Sequence, residues 1–280
     1  MKVSDRRLTN KSIIVTGGGT GIGHACAALL AREGAHVTIC GRTEDSLRKS
    51  AARINAALGG AEAVRYRIAD ALNETDMKEV ARLACERTGS IDGCIANAGG
   101  GGMPGPTHEQ DVAEFTRVLN GNIVATLVTM KSVIEPMRSA GGGSIVLISS
   151  LNGDSRVVAN YTSAYSAAKA GIDQMMRVAA VEYGKDFIRV NSIRPGYIHT
   201  EINDKYVGTG TRFYQSCRDN VPLAGPLGQP DDIASLAGFL LGEQARWITG
   251  QAISVDGGQS LHQGPDSSEL LASVRASQAD

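Results

Sequence analysis

The sequence predicts an α/β fold, a doubly wound parallel β-sheet covered by helices on both faces to give three αβα layers. Three observations predict it. Short Val- and Ile-rich runs alternate with helical stretches from one end of the chain to the other, as in a succession of βαβ units. The runs do not alternate cleanly between apolar and polar residues, as expected of strands buried on both faces. The first run is followed at once by a glycine-rich turn and then a helix.

Ser12–Thr16 reads as the first strand, Gly17-Gly18-Gly19-Thr20-Gly21-Ile22-Gly23 as the turn, and residues 22–33 as a helix stopped by Gly34. Strands are then expected at His36–Cys40, Ala63–Ile68, Gly93–Ala96, Ser144–Ser149, Ile188–Ile193 and Ala252–Val255. Helices fall between them at 43–58, 74–87, 109–139, 161–183 and 230–241. Gly100–Pro106, rich in glycine and proline, falls in the middle of this pattern and reads as a loop at the C-terminal edge of the sheet. Residues 203–220 are polar and carry Tyr206, Phe213 and Tyr214, which suits a substrate lid or an ordinary surface excursion. No stretch reads as an interdomain linker, so residues 1–258 are expected to form one domain. The polar tail, 259–280, has only the patch Leu270-Leu271 and is expected to be disordered or to reach a neighbouring subunit.

Composition narrows the function. Of 280 residues, 42% are hydrophobic, enough for a core, and the formal net charge is -1. No basic stripe supports nucleic-acid binding. Five scattered cysteines (Cys26, Cys40, Cys85, Cys94, Cys217) form no C-x-x-C pair and read as buried free thiols in a reducing compartment. The five histidines do not cluster at ligand spacing, so no metal site is expected. No apolar run approaches the ~20 residues needed to cross a bilayer. The N-terminus lacks the apolar core of a signal peptide. A cytoplasmic protein is expected.

Two motifs carry chemistry. The glycines of the turn allow backbone to approach a pyrophosphate, and the following helix N-terminus supplies N–H groups and a positive dipole to that anion. Tyr165 and Lys169 stand four residues apart in Tyr165-Ser166-Ala167-Ala168-Lys169, on one face of a helix. A phenol ordinarily titrates near ~10, and a neighbouring cation favours its ionised form, so the pair suits acid/base work.

Taken together and in this order, the motifs resemble those of the short-chain dehydrogenase/reductase superfamily, over about residues 9–258. The turn from Thr16 to Gly23 looks like its cofactor turn, Asp70-Ala71 like its adenine contact, and Asn97-Ala98-Gly99 like the motif after its fourth strand. Asn122 matches the active-site asparagine, Ile148-Ser149-Ser150 the segment of the catalytic serine, and Tyr165 and Lys169 its Y-x-x-x-K pair. Pro195-Gly196, with Thr200 beyond, resembles the segment packed on nicotinamide, and Asp256-Gly257-Gly258 its last strand ending. The fifteen residues from Ser150 to Tyr165 exceed the family's usual spacing. Ser150 keeps the position at the strand end. Ser149 faces the other way, and Tyr161 is assigned to packing or loop support.

The resemblance implies a Rossmann-type fold and an NAD(P)-dependent oxidoreductase acting on a secondary alcohol or ketone. It implies Asn122, Ser150, Tyr165 and Lys169 as catalytic residues. Tyr165 would exchange the proton, Lys169 would lower its pKa and hold the nicotinamide ribose, Ser150 would orient the substrate oxygen, and Asn122 would secure a water chain. Cofactor contacts are expected from Gly17, Gly19, Thr20, Gly21, Ile22, Gly23, Arg42, Thr43, Asp70, Ala71, Asn97, Ala98, Gly99, Tyr165, Lys169, Pro195, Gly196, Ile198 and Thr200. At the end of the second strand Gly41 stands where NAD-preferring relatives have an acid, and Arg42 follows. Arg42, with Thr43, would clamp the 2′-phosphate of NADP; the competing reading has Arg42 stacking on adenine, which leaves NAD open. Tyr197, His199 and Asn152 are placed near the substrate. The alternatives are a 3-oxoacyl-thioester reductase of acyl-carrier-protein type and a cofactor-sensing protein without turnover. A homotetramer or dimer is expected through helices 109–139 and 161–183, with Ala167, Ala168 and Ala170 allowing close approach.

Overall fold

The computed structural model of the protein describes residues 7–201 and 210–261. Seven parallel strands form one sheet in the order β3-β2-β1-β4-β5-β6-β7. They are β1 (Ser12–Thr16), β2 (His36–Gly41), β3 (Val64–Ile68), β4 (Gly93–Ala96), β5 (Gly143–Ile148), β6 (Ile188–Pro195) and β7 (Ala252–Val255). Every residue of β1 and β4 is buried, which explains why their sequences lack polar alternation. The order reverses between β1, paired with β2 from Ser12↔His36, and β4, paired with β1 from Ile13↔Gly93. Such a switch point opens a crevice at the carboxyl ends of the strands.

The helices are α1 (Gly21–Arg32), α2 (Glu44–Ala57), α3 (Glu74–Thr88), α4 (Val112–Leu119), α5 (Ala125–Ser139), α6 (Ser163–Tyr183), α7 (Arg212–Asp219) and α8 (Pro230–Leu241). Two apolar layers hold them to the sheet. Leu30, Leu47, Ile54, Ile233 and Leu240 join α1, α2 and α8 to one face. Met77, Val80, Val133, Met137, Ile172 and Met176 join α3, α5 and α6 to the other. The starts and stops are encoded locally. The Asn73 side chain accepts from the N–H groups of Thr75 (2.9 Å) and Asp76 (3.2 Å) at the start of α3, and Gly89 ends that helix with φ 76°. Pro230 opens α8, where Asp232 Oδ2 accepts from the Gln229 N–H at 2.7 Å.

The helix expected over 109–139 is observed over 112–139, as one run with a π turn inside it. Thr107–Glu109 form a separate turn, Asp111 caps α4, and the π-helical turn at Asn120–Val124 joins α4 to α5. The cause is Asn122, whose side-chain Nδ2 donates to Val118 O at 2.8 Å, the carbonyl a regular helix would give to its backbone N–H. Within 203–220 the structure describes α7, while Tyr206 lies outside the described residues, as does the tail patch Leu270-Leu271. Ala167 and Ala170 are exposed on α6, but Ala168 is fully buried against the chain's own core and is unavailable to a neighbour.

Candidate active site

A cleft of about 720 Å³ runs along the carboxyl ends of the strands, from the loop after β3 to that after β6. It holds every residue of the expected site except Gly23. Gly23 lies behind the turn: a Cβ there would stand 2.2 Å from Gly17 O and 2.7 Å from Asn97 Nδ2. Its lack of a side chain lets α1 seat on the turn. Gly17 has φ 66° and donates its N–H to Cys40 O at 2.8 Å. That left-handed bend, open to glycine at no cost, turns the backbone from β1 into the crevice.

Thr16 and Asn97 fasten the switch point. Thr16 Oγ1 accepts from the N–H groups of Asn97 (3.0 Å) and Ala98 (2.9 Å). Asn97 Nδ2 donates back to Thr16 O at 3.0 Å and Gly17 O at 3.3 Å. The crevice floor is thus cross-linked where no β1–β4 ladder remains. Gly99 approaches Asn122 so closely that a Cβ would stand 2.6 Å from Asn122 Oδ1. Asn122 Nδ2 donates to Gly100 O at 2.9 Å, while its buried Oδ1 has no protein partner. An orphan acceptor at this depth fits water or ligand hydroxyl as its partner.

At the far end stand Ser150, Tyr165 and Lys169. Ser150 follows β5, its side chain accepts from the Asn152 N–H at 3.2 Å, and its hydroxyl faces the same end of the cleft as the Tyr165 phenol. Ser149 is turned away: its Oγ donates to Lys169 O at 3.1 Å. Lys169 Nζ lies 5.4 Å from the centre of the Tyr165 ring and donates to Ile148 O at 2.9 Å. Burial brings the Lys169 ammonium down to about 8, with Asp173 opposing the shift. Burial also raises the Tyr165 phenol above its ordinary value, and the Ser150 hydroxyl only partly offsets it. In this state desolvation outweighs any lowering by the ammonium, so the phenol is neutral at pH 7.

At the other end Arg42 is exposed beside Thr43, and Asp45, three residues on, is occupied by Arg48 (2.7 Å) and Lys49 (2.6 Å). Asp70 Oδ1 accepts from the Leu72 N–H at 3.0 Å, which holds this loop over the cleft. These features fit a nicotinamide dinucleotide: bare glycine backbone that phosphates would approach, the Asp70-Ala71 loop that a base would meet and polar groups at the Ser150 end.

The family described as enoyl-(acyl carrier protein) reductase matches residues 17–260. The chain belongs to the short-chain dehydrogenase/reductase superfamily. A levodione reductase from Leifsonia aquatica is 33% identical over 91% of this chain and 96% of its own length. A cyclohexanol dehydrogenase from Acinetobacter sp. is 32% identical over 91% and 97%. The solved structure of a short-chain type dehydrogenase/reductase from Mycobacterium ulcerans is 35% identical, covers 95% of this chain and 96% of its own, and superposes with a TM-score of 0.86. The chain is thus a nicotinamide-dependent oxidoreductase of alcohol and carbonyl groups.

For this dehydrogenase/reductase, sequence reasoning missed Arg117 and Val118, which line the cleft, and Ser46, whose Oγ lies against Gly19. Val118 is one helical turn before Asn122, so the spacing alone held that signal. Tyr161 has φ 66°, and its carbonyl accepts from the Gly105 N–H at 3.0 Å, bracing the loop after β4. The Tyr197 ring meets Phe213 of α7 edge-on at 5.8 Å, while the His199 N–H donates to Gly228 O at 2.8 Å. Asn152 Nδ2 donates to Thr162 Oγ1 at 3.3 Å. Among the described residues no helix is long and apolar enough to cross a membrane. The thiols of Cys26 and Cys40 are pushed up to about 12 by burial.

Proposed function

We propose that the protein interconverts a cyclic secondary alcohol and its ketone, with NADP preferred. The observation that carries the chemistry is that Ser150, Tyr165 and the buried Lys169 line the same end of the dinucleotide-sized cleft, with Lys169 Nζ 5.4 Å from the centre of the Tyr165 ring. In reduction, the carbonyl oxygen takes a place between Ser150 Oγ and Tyr165 Oη. Tyr165, neutral at working pH, gives its phenolic proton to that oxygen as the carbonyl carbon is reduced, while Ser150 donates to the growing negative charge. The bound nicotinamide supplies the hydride in this direction and accepts it in the other. Lys169, still charged at pH 7, stabilises the phenolate that remains. Asn122 Oδ1 holds the water through which that phenolate is reprotonated. In alcohol oxidation each step runs backwards, with Tyr165 as base.

Gly41 offers no acid to the ribose hydroxyls, and Arg42, Thr43 and Ser46 stand at that end with the charge and hydroxyls a 2′-phosphate requires, which supports NADP. The cyclic substrate is suggested by the levodione and cyclohexanol enzymes to which the chain is similar. The exposed apolar residues Val124, Leu127, Val178 and Val181, with Ala167 and Ala170, support association through α5 and α6. The free thiols suit a reducing, cytoplasmic setting. The acyl-carrier-protein thioester named in the family's description supports a second reading, an acyl thioester as substrate, taken in the 3-oxoacyl form that offers Tyr165 a carbonyl to protonate.

The test combines fluorescence titration with NADPH and NADH and a panel of cyclic ketones, cyclic alcohols and acetoacetyl-CoA. Tighter NADPH binding by about tenfold (~1.4 kcal/mol) and turnover of a cyclic member are expected. Turnover of the thioester alone establishes the second reading. Tyr165→Phe should lower turnover by ~10² or more and leave cofactor affinity unchanged; full activity would refute the mechanism.

A further inference from the structure

Behind the cleft, Arg194 ties together three elements that each carry a residue of the proposed site. Its Nε donates to Asp173 Oδ2 at 2.6 Å and its Nη1 to Asp154 Oδ2 at 2.5 Å. Both carboxylates are buried, Asp154 to 4% and Asp173 to 1% exposure. Asp173 Oδ1 also accepts from Ser192 Oγ at 2.7 Å, and Asp154 accepts from the Arg156 N–H at 2.9 Å and from its guanidinium. Asp154 lies four residues beyond Ser150, Asp173 one helical turn beyond Lys169, and Arg194 immediately before Pro195.

The backbone is drawn to the same spot. A Cβ on Gly153 would stand 2.9 Å from both Lys169 O and Asp173 Oδ2, so the segment after Ser150 lies directly on the turn of α6 between Lys169 and Asp173. Ser149 Oγ, bonded to Lys169 O, closes the contact from the strand side. Buried ion pairs add little net stability compared with apolar packing of the same volume, so stability alone gives weak reason for three charges here. Geometry gives a better one. The connection from Ser150 to Tyr165 is long, and its outer part is exposed at Val158 and Tyr161. Its length does not fix how far Ser150 stands from α6.

We propose that Arg194 is a positioning residue: by holding Asp154 and Asp173 on one guanidinium it sets the serine-bearing segment against the helix of Tyr165 and Lys169. The spacing of the two hydroxyls that share the substrate oxygen follows from this clamp. The inference rests on the roles given to Ser150 and Tyr165 above. Catalysis is sensitive to such spacing, since a displacement near ~1 Å can cost about 10² in rate.

The experiment compares wild type, Asp154→Asn, Asp154→Glu, Arg194→Lys and Tyr165→Phe on the panel substrate that wild type turns over, with NADPH affinity by fluorescence and thermal unfolding measured on the same samples. Asp154→Asn removes the charge of the loop arm and leaves Arg194 paired with Asp173. Arg194→Lys keeps the charge but loses the fork that spans both carboxylates, and it serves where Asp154→Asn does not fold. Either variant is expected to lower kcat about tenfold or more, with NADPH affinity within about twofold of wild type, cooperative unfolding retained, and partial recovery in Asp154→Glu. Wild-type kcat in both variants overturns the clamp. A parallel fall of kcat and NADPH affinity also overturns it, since the network would then support the fold alone. Full activity in Tyr165→Phe instead overturns the reading of the catalytic centre.

Discussion

Lys169→Met should stabilise the fold while it ends turnover. The Lys169 side chain is 4% exposed, and burial lowers its ammonium from 10.5 to about 8. Because the folded state binds this proton less tightly than the unfolded chain, the charged form carries a cost at every pH below about 8. At ~1.4 kcal/mol per pH unit that cost is about 3 kcal/mol. Methionine fills a similar volume without a charge, but it leaves Ile148 O without its 2.9 Å donor, which returns about 1 kcal/mol. The net gain at pH 7 is therefore ~2 kcal/mol. A chain of this length unfolds with an entropy near ~0.6 kcal/mol per degree, so the melting temperature should rise by about 3 °C. The sign with pH is fixed. Wild-type stability climbs between about 8 and 10.5, where the unfolded chain alone still holds the proton, and the advantage of the variant shrinks over that window. Thermal unfolding of the cofactor-free proteins from pH 6 to pH 10 measures this. A variant less stable than wild type at pH 7, or an advantage that does not change with pH, would refute the claim that Lys169 is held against its desolvation.

Other outcomes follow from single contacts. Thr16→Val removes the acceptor of two backbone N–H groups, from Asn97 and Ala98, and should cost ~2–4 kcal/mol, read as a drop of about 3–7 °C in melting temperature. An unchanged melting temperature would mean that water replaces the hydroxyl. Arg42→Asp should reverse the cofactor preference by weakening NADPH at least ~10-fold and strengthening NADH, checked by parallel fluorescence titrations; equal losses for both would show that Arg42 stacks on adenine without discriminating. The Tyr165 phenol is raised by burial, so alcohol oxidation should increase with pH well above neutrality while ketone reduction should not, a difference visible in kcat profiles for the two directions.

The strands and most helices were legible because their signals are local. β1 and β4 begin and end at the residues their apolar runs suggest, since burial on both faces demands such runs whatever the partner strand, and the half-buried β7 does so as well. β6 extends two residues past its expected end, to Pro195, because β7 pairs with it up to Pro195↔Val255 and pairing between distant segments is invisible in either one. The π turn between α4 and α5 escaped for a related reason. Asn122 is an acceptable helix residue by propensity, and only its capture of Val118 O and Gly100 O turns the ladder into a π turn.

The same distinction separates the parts of the site. The glycine turn and the Tyr165–Lys169 pair are each written in consecutive residues, so their chemistry could be read at once. Gly23 was read as a cofactor contact because it belongs to the same run. That α1 also needs a bare backbone there, against Gly17 O, is visible only in the packing. Arg194, Asp154 and Asp173 have no motif in common and lie on three elements far apart in sequence. Each alone looks like a charge bound for the surface, and the compact sheet makes them one network. The residues that perform the proposed chemistry were therefore visible as a pattern, while those that fix the distances between them became visible only as a structure. A variant that keeps every residue of the motif yet loses the clamp should bind cofactor and turn over slowly, and that combination distinguishes a site that is present from one that is held.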